Sequence, residues 1–295
     1  MNAYSISDLE EYSGIKAHTI RMWEQRYKVL KPHRSDGNTR YYDNSQLKRL
    51  LNIVSLLDLD YKTSELCKMS DSSLYELLDK QLSLSISADN AYEYFISQIL
   101  VSGIEFDEAH FEKLFSSCIL RFGLKGTYLN VIYHLLLRAG LLWLKNSLSI
   151  GSEHFISNMI RQKILAASDS LPPAKFNQNT WLLFLPVNEY HEIGLLFTYY
   201  IIRNAGKKVI YLGANVPFES LKATVEETKP TSLFFFFVHY NKPEESQSYL
   251  DLLSRNFKHT KIHLSGNQKL INQLKTGKEI NWIKSIEQLE KELIK

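Results

Sequence analysis

Read at 100° per residue, the segment from Thr19 to Tyr27 gathers Ile20, Trp23 and Tyr27 on one face and turns His18, Arg21, Met22, Gln25 and Arg26 to the other. The pattern predicts a short helix with an apolar back and a cationic, hydrogen-bonding front. Upstream, Ser7-Asp8-Leu9-Glu10 has the form of a capping box opening a first helix, which Ser13-Gly14 closes. After Leu30-Lys31-Pro32, the run from Arg34 to Tyr42 reads as a turn followed by a short strand. Helical periodicity then continues for about 100 residues, with helices expected near 72–82, 87–102, 107–122, 127–146 and 152–168. Gly103, Gly123, Gly126 and Gly151 mark the breaks, and Leu129, Ile132, Leu136 and Trp143 are spaced to bury one stripe of a compact bundle.

From Trp181 the period changes. Continuous apolar runs at 181–185, 209–212 and 233–238, with further strands at 261–264 and 280–283, alternate with helical patterns at 192–204, 217–227 and 244–256. Strands of that kind, separated by helices, imply a parallel sheet covered on both faces. Ligands of such sheets bind beyond the carboxyl ends of the strands, near the point where strand order reverses. Leu171-Pro172-Pro173-Ala174 and the polar residues after it read as a linker.

Composition narrows the setting. The 295 residues are 44% hydrophobic with no low-complexity tract, and the amino terminus lacks the basic head and apolar core of a signal peptide. The apolar run 233–238 is far too short to span a bilayer. Cys67 and Cys118 are widely separated and form no metal spacing, so a reduced cytoplasmic compartment is expected. Net charge is only +3, yet the stretch 16–49 holds nine Lys/Arg against three acidic residues. Positive charge is therefore concentrated on the predicted helix, turn, helix and strand, the arrangement of a winged helix-turn-helix on duplex DNA.

A second cluster follows the first strand of the sheet: Glu189-Tyr190-His191-Glu192-Ile193-Gly194. A histidine in that loop can present its imidazole at the sheet top, with Glu189 orienting the other ring nitrogen and Gly194 admitting a planar ligand to the helix start. By itself, a loop histidine beside two glutamates is more often a solvated residue. No second His or Cys sits at zinc spacing.

The amino-terminal residues Thr19-Ile20-Arg21, Trp23-Glu24, Arg26-Tyr27, Leu30, Pro32, Arg34, Gly37, Arg40-Tyr41 and Leu47 resemble the MerR family of transcription regulators over about the first 70 residues. That resemblance implies that His18, Thr19, Arg21 and Arg26 lie at the major groove or its phosphate edge, and that Arg34, Arg40 and Tyr41 grip the backbone through the wing. Glu189, His191 and Gly194 match the ExHxxG signature of corrinoid-binding domains, and Trp143 followed after nine residues by Glu153-His154 matches cobalamin photoreceptors. Together these features resemble light-responsive repressors of the CarH/LitR type. The resemblance implies His191 as the lower ligand of a cobalamin cobalt. It also implies Trp143, Glu153 and His154 around the upper face of adenosylcobalamin, and Ser265 and Gly266 near the nucleotide tail. Three positions depart from that pattern. A phenylalanine run, Phe234 to Phe237, precedes Val238-His239 where Ser-x-Leu is usual; Ser265-Gly266-Asn267 stands where Gly-Gly is usual; and Leu144 stands where some light sensors have histidine.

The sequence thus predicts a multidomain α and α/β protein: a winged helix-turn-helix over 1–70, a helical bundle over 71–171, a linker over 172–180 and a Rossmann-like (flavodoxin-like) sheet over 181–295. Expected partners are operator DNA and further copies of the chain, as a dimer or tetramer, with no membrane. A regulator that has lost its cofactor, and more remotely a corrinoid carrier protein, are the alternatives the residues leave open; no catalytic pair suggests an enzyme. Replacing Arg34 or Arg40 with Ala should weaken DNA binding on all sequences and flatten its salt dependence. Arg21→Ala should cost more on the operator than on random DNA, and equal losses on both would refute a reading role.

Overall fold

The computed structural model describes every residue except 1–2, 36, 58–60, 84–87, 145–147, 175–178, 239–241, 278 and 295. Two compact units divide the chain, Met1–Ile160 and Arg161–Lys295. Residues 175–178 of the expected linker, His239, and the side chains of Trp143 and Leu144 lie outside the described residues.

In the first unit, α1 (Ile6–Ser13) and α2 (Ala17–Tyr27) form the helix-turn-helix, with Gly14 left-handed at φ 72° between them. The capping box at the start of α1 is built on Ser5 rather than Ser7. The Ser5 hydroxyl accepts from the Asp8 N–H, and the Asp8 carboxylate accepts from the Ser5 N–H. Asp8 is short enough to reach back from the third helical position, so the helix begins earlier than Ser7-x-x-Glu10 suggests. Strands β1 (His33–Arg34) and β2 (Arg40–Tyr41) pair antiparallel as the wing.

The helix α3 (Asn44–Leu57) is buried on nearly every side from Leu50 to Leu56, which a helix on the edge of a small domain is not. The reason is that it serves two neighbours. One flank packs against α1, and the other against the helix α6 of the bundle. After α4 (Thr63–Leu66) and α5 (Asp71–Ser83), the bundle comprises α6 (Ala88–Glu105), α7 (Glu108–Thr127), a π-helical turn (Tyr128–Ile132), α8 (Tyr133–Leu144) and α9 (Ile150–Asp169), the last extending into the second unit. Gly123 is non-helical inside α7 and separates its two halves, at the break the glycines mark. The π turn inserts an extra residue and rotates α8 relative to α7. Tyr128, Val131, Ile132, Leu135, Ala139 and Leu142 form the buried stripe, while Leu129 and Leu136 are only half-buried. The expected stripe assumes a uniform 3.6-residue period and misses that rotation.

Polar bonds fasten α3 to the bundle. Gln98, almost wholly buried, donates through Nε2 to Asn52 Oδ1 at 3.0 Å and Ser55 Oγ at 2.9 Å, and its Oε1 lies 3.2 Å from His110 Nε2. Burial pushes the His110 imidazole below its ordinary value, which favours a neutral ring donating through Nε2. Arg138 on α8 makes a bidentate pair with Glu93 on α6, at 2.6 and 2.9 Å, and reaches the Tyr12 carbonyl of α1.

The second unit is a five-stranded parallel sheet in the order β4-β3-β5-β6-β7. Its elements are β3 (Thr180–Pro186), α10 (Glu192–Asn204), β4 (Lys208–Val216), α11 (Phe218–Thr228), β5 (Ser232–Phe237), α12 (Pro243–Asn256), β6 (Lys261–Gly266), α13 (Gln268–Ile271), β7 (Ile280–Trp282) and α14 (Ile286–Ile294). Strand order reverses at β3, so the crevice between the tops of β3 and β5 is the switch point. Strand alternation divides the core: Leu182, Phe184, Leu233, Phe235, Phe237, Ile262 and Leu264 pack with residues of α11 and α12. Among the described residues, no helix is long and apolar enough to cross a membrane.

Gly266 ends β6 with φ 126° against the next strand. A Cβ there would stand 2.1 Å from the Phe237 carbonyl oxygen. Gly266→Ala should therefore lower the stability of the sheet unit by about 3 kcal/mol, seen as faster hydrogen exchange in β5 and β6.

Candidate functional site

The exposed cationic face of α2 forms largely as the sequence pattern requires. Ile20 and Trp23 are buried and Tyr27 is half-buried, while His18, Arg21, Met22, Gln25 and Arg26 are exposed and Thr19 is half-buried. Arg34 and Arg40 sit directly opposite each other in the wing, both exposed. Like charges in that register repel, so the hairpin is poised for a phosphate between or beside them. Asn38 binds the Arg34 guanidinium, and Tyr41 stacks on His33. His33 in turn pairs with Asp43, whose carboxyl is lowered to about 2 by the Ser45 hydroxyl, His33 and the Gln46 N–H.

Three of the nine cations counted on this stretch work elsewhere. Arg49 donates to the carbonyls of Val29, Cys67 and Met69 and pairs with Asp71; Lys48 pairs with Glu105; Lys16 pairs with Glu10. Arg21, Arg26, Lys28, Lys31, Arg34 and Arg40 remain as exposed cations of helix and wing. The pattern also missed Glu24, which is buried and accepts a 2.6 Å bond from the buried Tyr42 hydroxyl. That bond ties the reading helix to the wing, and an isolated carboxylate on the apolar side of an amphipathic helix was its signal.

At the top of the sheet, Pro186 ends β3 and a tight turn delivers Glu189 and His191. Glu189 has no exposed surface. Its Oε1 accepts from the N–H groups of Tyr190 and His191 and from the His191 ring at Nδ1, and its Oε2 accepts from the Val238 N–H at 2.8 Å. The carboxylate therefore bridges the loop after β3 to the end of β5, across the switch point. An ionised carboxylate only accepts, so Nδ1 carries a proton, and in the neutral ring the lone pair then falls on Nε2, the arrangement a metal ligand needs. The His191 side chain is 51% exposed, and Val187 and Tyr190 are exposed beside it in the loop. Glu192 faces away, bonded to the Tyr211 hydroxyl at 3.0 Å and lying 3.6 Å from Arg161.

Gly194 is unstrained. A Cβ there would meet the Phe236 ring at 3.6 Å, so that ring occupies the space beside the helix start. Ser265 donates to the Ile283 carbonyl at 2.8 Å, and Gly266 is closed against the Phe237 backbone; both have employment within the sheet. In the first unit, Glu153 and His154 form a 2.8 Å pair in the first turn of α9, with His154 exposed. The Trp143 backbone lies in α8. Among the described residues, no group of three or more His, Cys, Asp or Glu side chains is placed to hold a bare metal ion.

The loop has a further anchor that the apolar pattern passed over. Asn215 near the end of β4 accepts from the Asn188 N–H at 3.0 Å, and its own N–H donates to the Glu189 carbonyl at 3.3 Å. Its signal was the triplet Gly213-Ala214-Asn215 at the end of a strand-like run, where both outer residue types accept left-handed backbone.

Comparison with known proteins agrees with both halves. Residues 4–72 match the model of the MerR HTH family regulatory protein. Over 230 residues the chain is 26% identical to the HTH-type transcriptional repressor CarH of Myxococcus xanthus, covering 77% of this chain and 76% of that protein. It is also 26% identical over 247 residues to the HTH-type transcriptional repressor CarA of the same organism, covering 83% and 80% respectively. In fold, the monomethylamine corrinoid protein of Methanosarcina barkeri superposes with a TM-score of 0.55 at 13% identity, covering 69% of this chain and 99% of that one.

Tyr42→Phe should remove the bond to Glu24 at a cost of about 1–2 kcal/mol. Thermal denaturation should show that loss, together with weaker operator binding as wing and helix lose their mutual register. An unchanged operator affinity would show that the wing is fixed by other contacts.

Proposed function

We propose that this chain, a DNA-binding transcription regulator whose head belongs to the MerR helix-turn-helix family, holds or releases its operator according to cobalamin bound through His191. One observation carries the reading. A half-exposed imidazole stands at the switch point of a parallel sheet, its Nδ1 fixed by a wholly buried carboxylate. Exposed Val187 and Tyr190 beside it add an apolar surround of the kind a corrin ring requires. These residues fit the cobalt-facing side of a corrinoid. Phe236 beside Gly194 argues that a nucleotide tail lodges elsewhere or only once that ring has turned.

The work of this chain's own residues follows from their chemistry. His191 supplies a neutral nitrogen ligand. Glu189 keeps the ring in the right tautomer and raises its basicity, and the Val238 N–H keeps Glu189 in place. Adenosylcobalamin is the form we assign; when bound, it supplies a cobalt centre and a cobalt–carbon bond that light breaks. Trp143, Glu153 and His154 take the upper-face role in this reading, which rests on their spacing. Glu153 holds His154 Nδ1 as Glu189 holds that of His191, leaving His154 Nε2 as the outward nitrogen.

Repression is the sense of control we assign, in keeping with the CarH and CarA relatives. Pairing of two copies belongs to the same reading, because one small winged head makes few base contacts and such heads gain affinity across a two-fold site. The likeness to a corrinoid protein is one of fold, and the DNA-reading head sets this chain apart from a carrier.

Purified protein incubated with adenosylcobalamin should bind it with a spectrum that His191→Ala alters; an unchanged cobalt spectrum would remove His191 as ligand. Dark and illuminated samples should differ in size and in operator binding, and identical behaviour would exclude light as the signal.

A further inference from the structure

The strand β4 departs from regular pairing twice along its edge with β3. Leu183 pairs with Tyr211 but Phe184 with Gly213, and Pro186 then pairs with Val216. One extra residue is accommodated at each step, and left-handed backbone is found at Gly213 (φ 78°) and Asn215 (φ 57°). Bulges re-aim the residues at a strand end, and this second one brings Asn215 over the turn between β3 and α10. That turn is itself left-handed at Asn188 (φ 66°) and is closed by the Glu189 N–H on the Pro186 carbonyl at 3.0 Å.

We infer that Asn215 is a positioning residue for His191, acting through the clamp it places on the peptides of Asn188 and Glu189. Its side-chain oxygen takes the Asn188 N–H and its peptide N–H takes the Glu189 carbonyl, so the turn is held at two points, one on either side of the Asn188–Glu189 peptide. Glu189 can keep its carboxylate under His191 and against the Val238 N–H only while its backbone stays at that height. The geometry thus passes from β4 through the turn to Glu189 and from Glu189 to the ring. Asn215 and Asn188 are both exposed, so the clamp adds no core packing and its loss leaves the sheet folded. Asparagine is the apt residue: it tolerates left-handed backbone and offers a short acceptor, whereas glycine offers only the first. The inference rests on the reading of His191 as a cobalt ligand.

Three full-length proteins test it: wild type, Asn215→Gly and Asn215→Asp. Glycine keeps the left-handed backbone and its N–H but loses the acceptor; aspartate keeps both. Without cofactor, nuclear magnetic resonance of the His191 ring should show one tautomer in wild type and N215D and a mixture in N215G. Thermal midpoint and DNA binding of the cofactor-free chain should stay within a few degrees and twofold. With hydroxocobalamin as probe, N215G should bind roughly 10- to 100-fold more weakly and lose the spectrum of nitrogen-ligated cobalt, while N215D retains it. An N215G ring with the single tautomer of wild type, and equal hydroxocobalamin binding, overturns the inference and leaves the cofactor reading standing. Should wild type take up no hydroxocobalamin while N215G still disturbs the ring, the clamp stands and the cofactor reading falls.

Discussion

A carboxylate stripped of water must have its lone pairs occupied, and the top of the sheet is organised around that demand. Glu189 lies where three pieces of chain converge: its own loop, the N-cap of α10 and the residue that follows β5. Each contributes a donor, so the loop cannot shift, the helix cannot rotate and β5 cannot slip without leaving charge unpaired. The switch point supplies the gap in which this happens, because β3 and β5 send their following helices to opposite sides. The His191 ring, held from within by Glu189, is turned half towards solvent. The direction of that ring is settled by folding.

The first unit applies the same economy to packing. Its helix α2 depends on Ile20 and Trp23 being buried, and α1, against which α2 packs, rests in turn on α3. The helix α3 is also a wall of the bundle, sealed there by the fully engaged amide of Gln98. A half-satisfied buried amide would cost more than an apolar side chain, so this network fixes one register of α3 against α6. Arg138 adds a link from α8 to the end of α1, immediately before the turn that sets the angle of the reading helix.

Much of this was legible in the residues. The bundle helices and the sheet strands fall close to where the two periodicities place them, and on α2 Ile20 and Trp23 are buried while His18, Arg21, Met22, Gln25 and Arg26 are exposed, as expected. The misses share a physical origin: each depends on a backbone group or on an irregularity that periodicity averages away. The capping box moved to Ser5 because a side chain two residues earlier had the better reach. The bundle stripe rotated because of a single π turn. β4 ran on to Val216 because Gly213 and Asn215, which read as loop residues, are bulges inside the strand. The Val238 N–H that secures Glu189 has no side-chain signature at all. Arg49 and Lys48 looked like part of the DNA surface because charge counts ignore direction, and both turn inward to structural partners.

The double duty of α3 bears on how such a protein can be recombined. Heads of this type invite exchange as cassettes, and the boundary of the matched family at residue 72 looks like the place to cut. A junction there would lift Ile53, Leu56 and the Asn52–Ser55 acceptors away from Gln98, leaving an apolar flank and two orphaned polar groups. A transplantable cassette would have to carry α6 along, or receive a host helix with an amide at the position of Gln98. In lineages where heads and sensors have been shuffled, that one glutamine and its two partners should travel together.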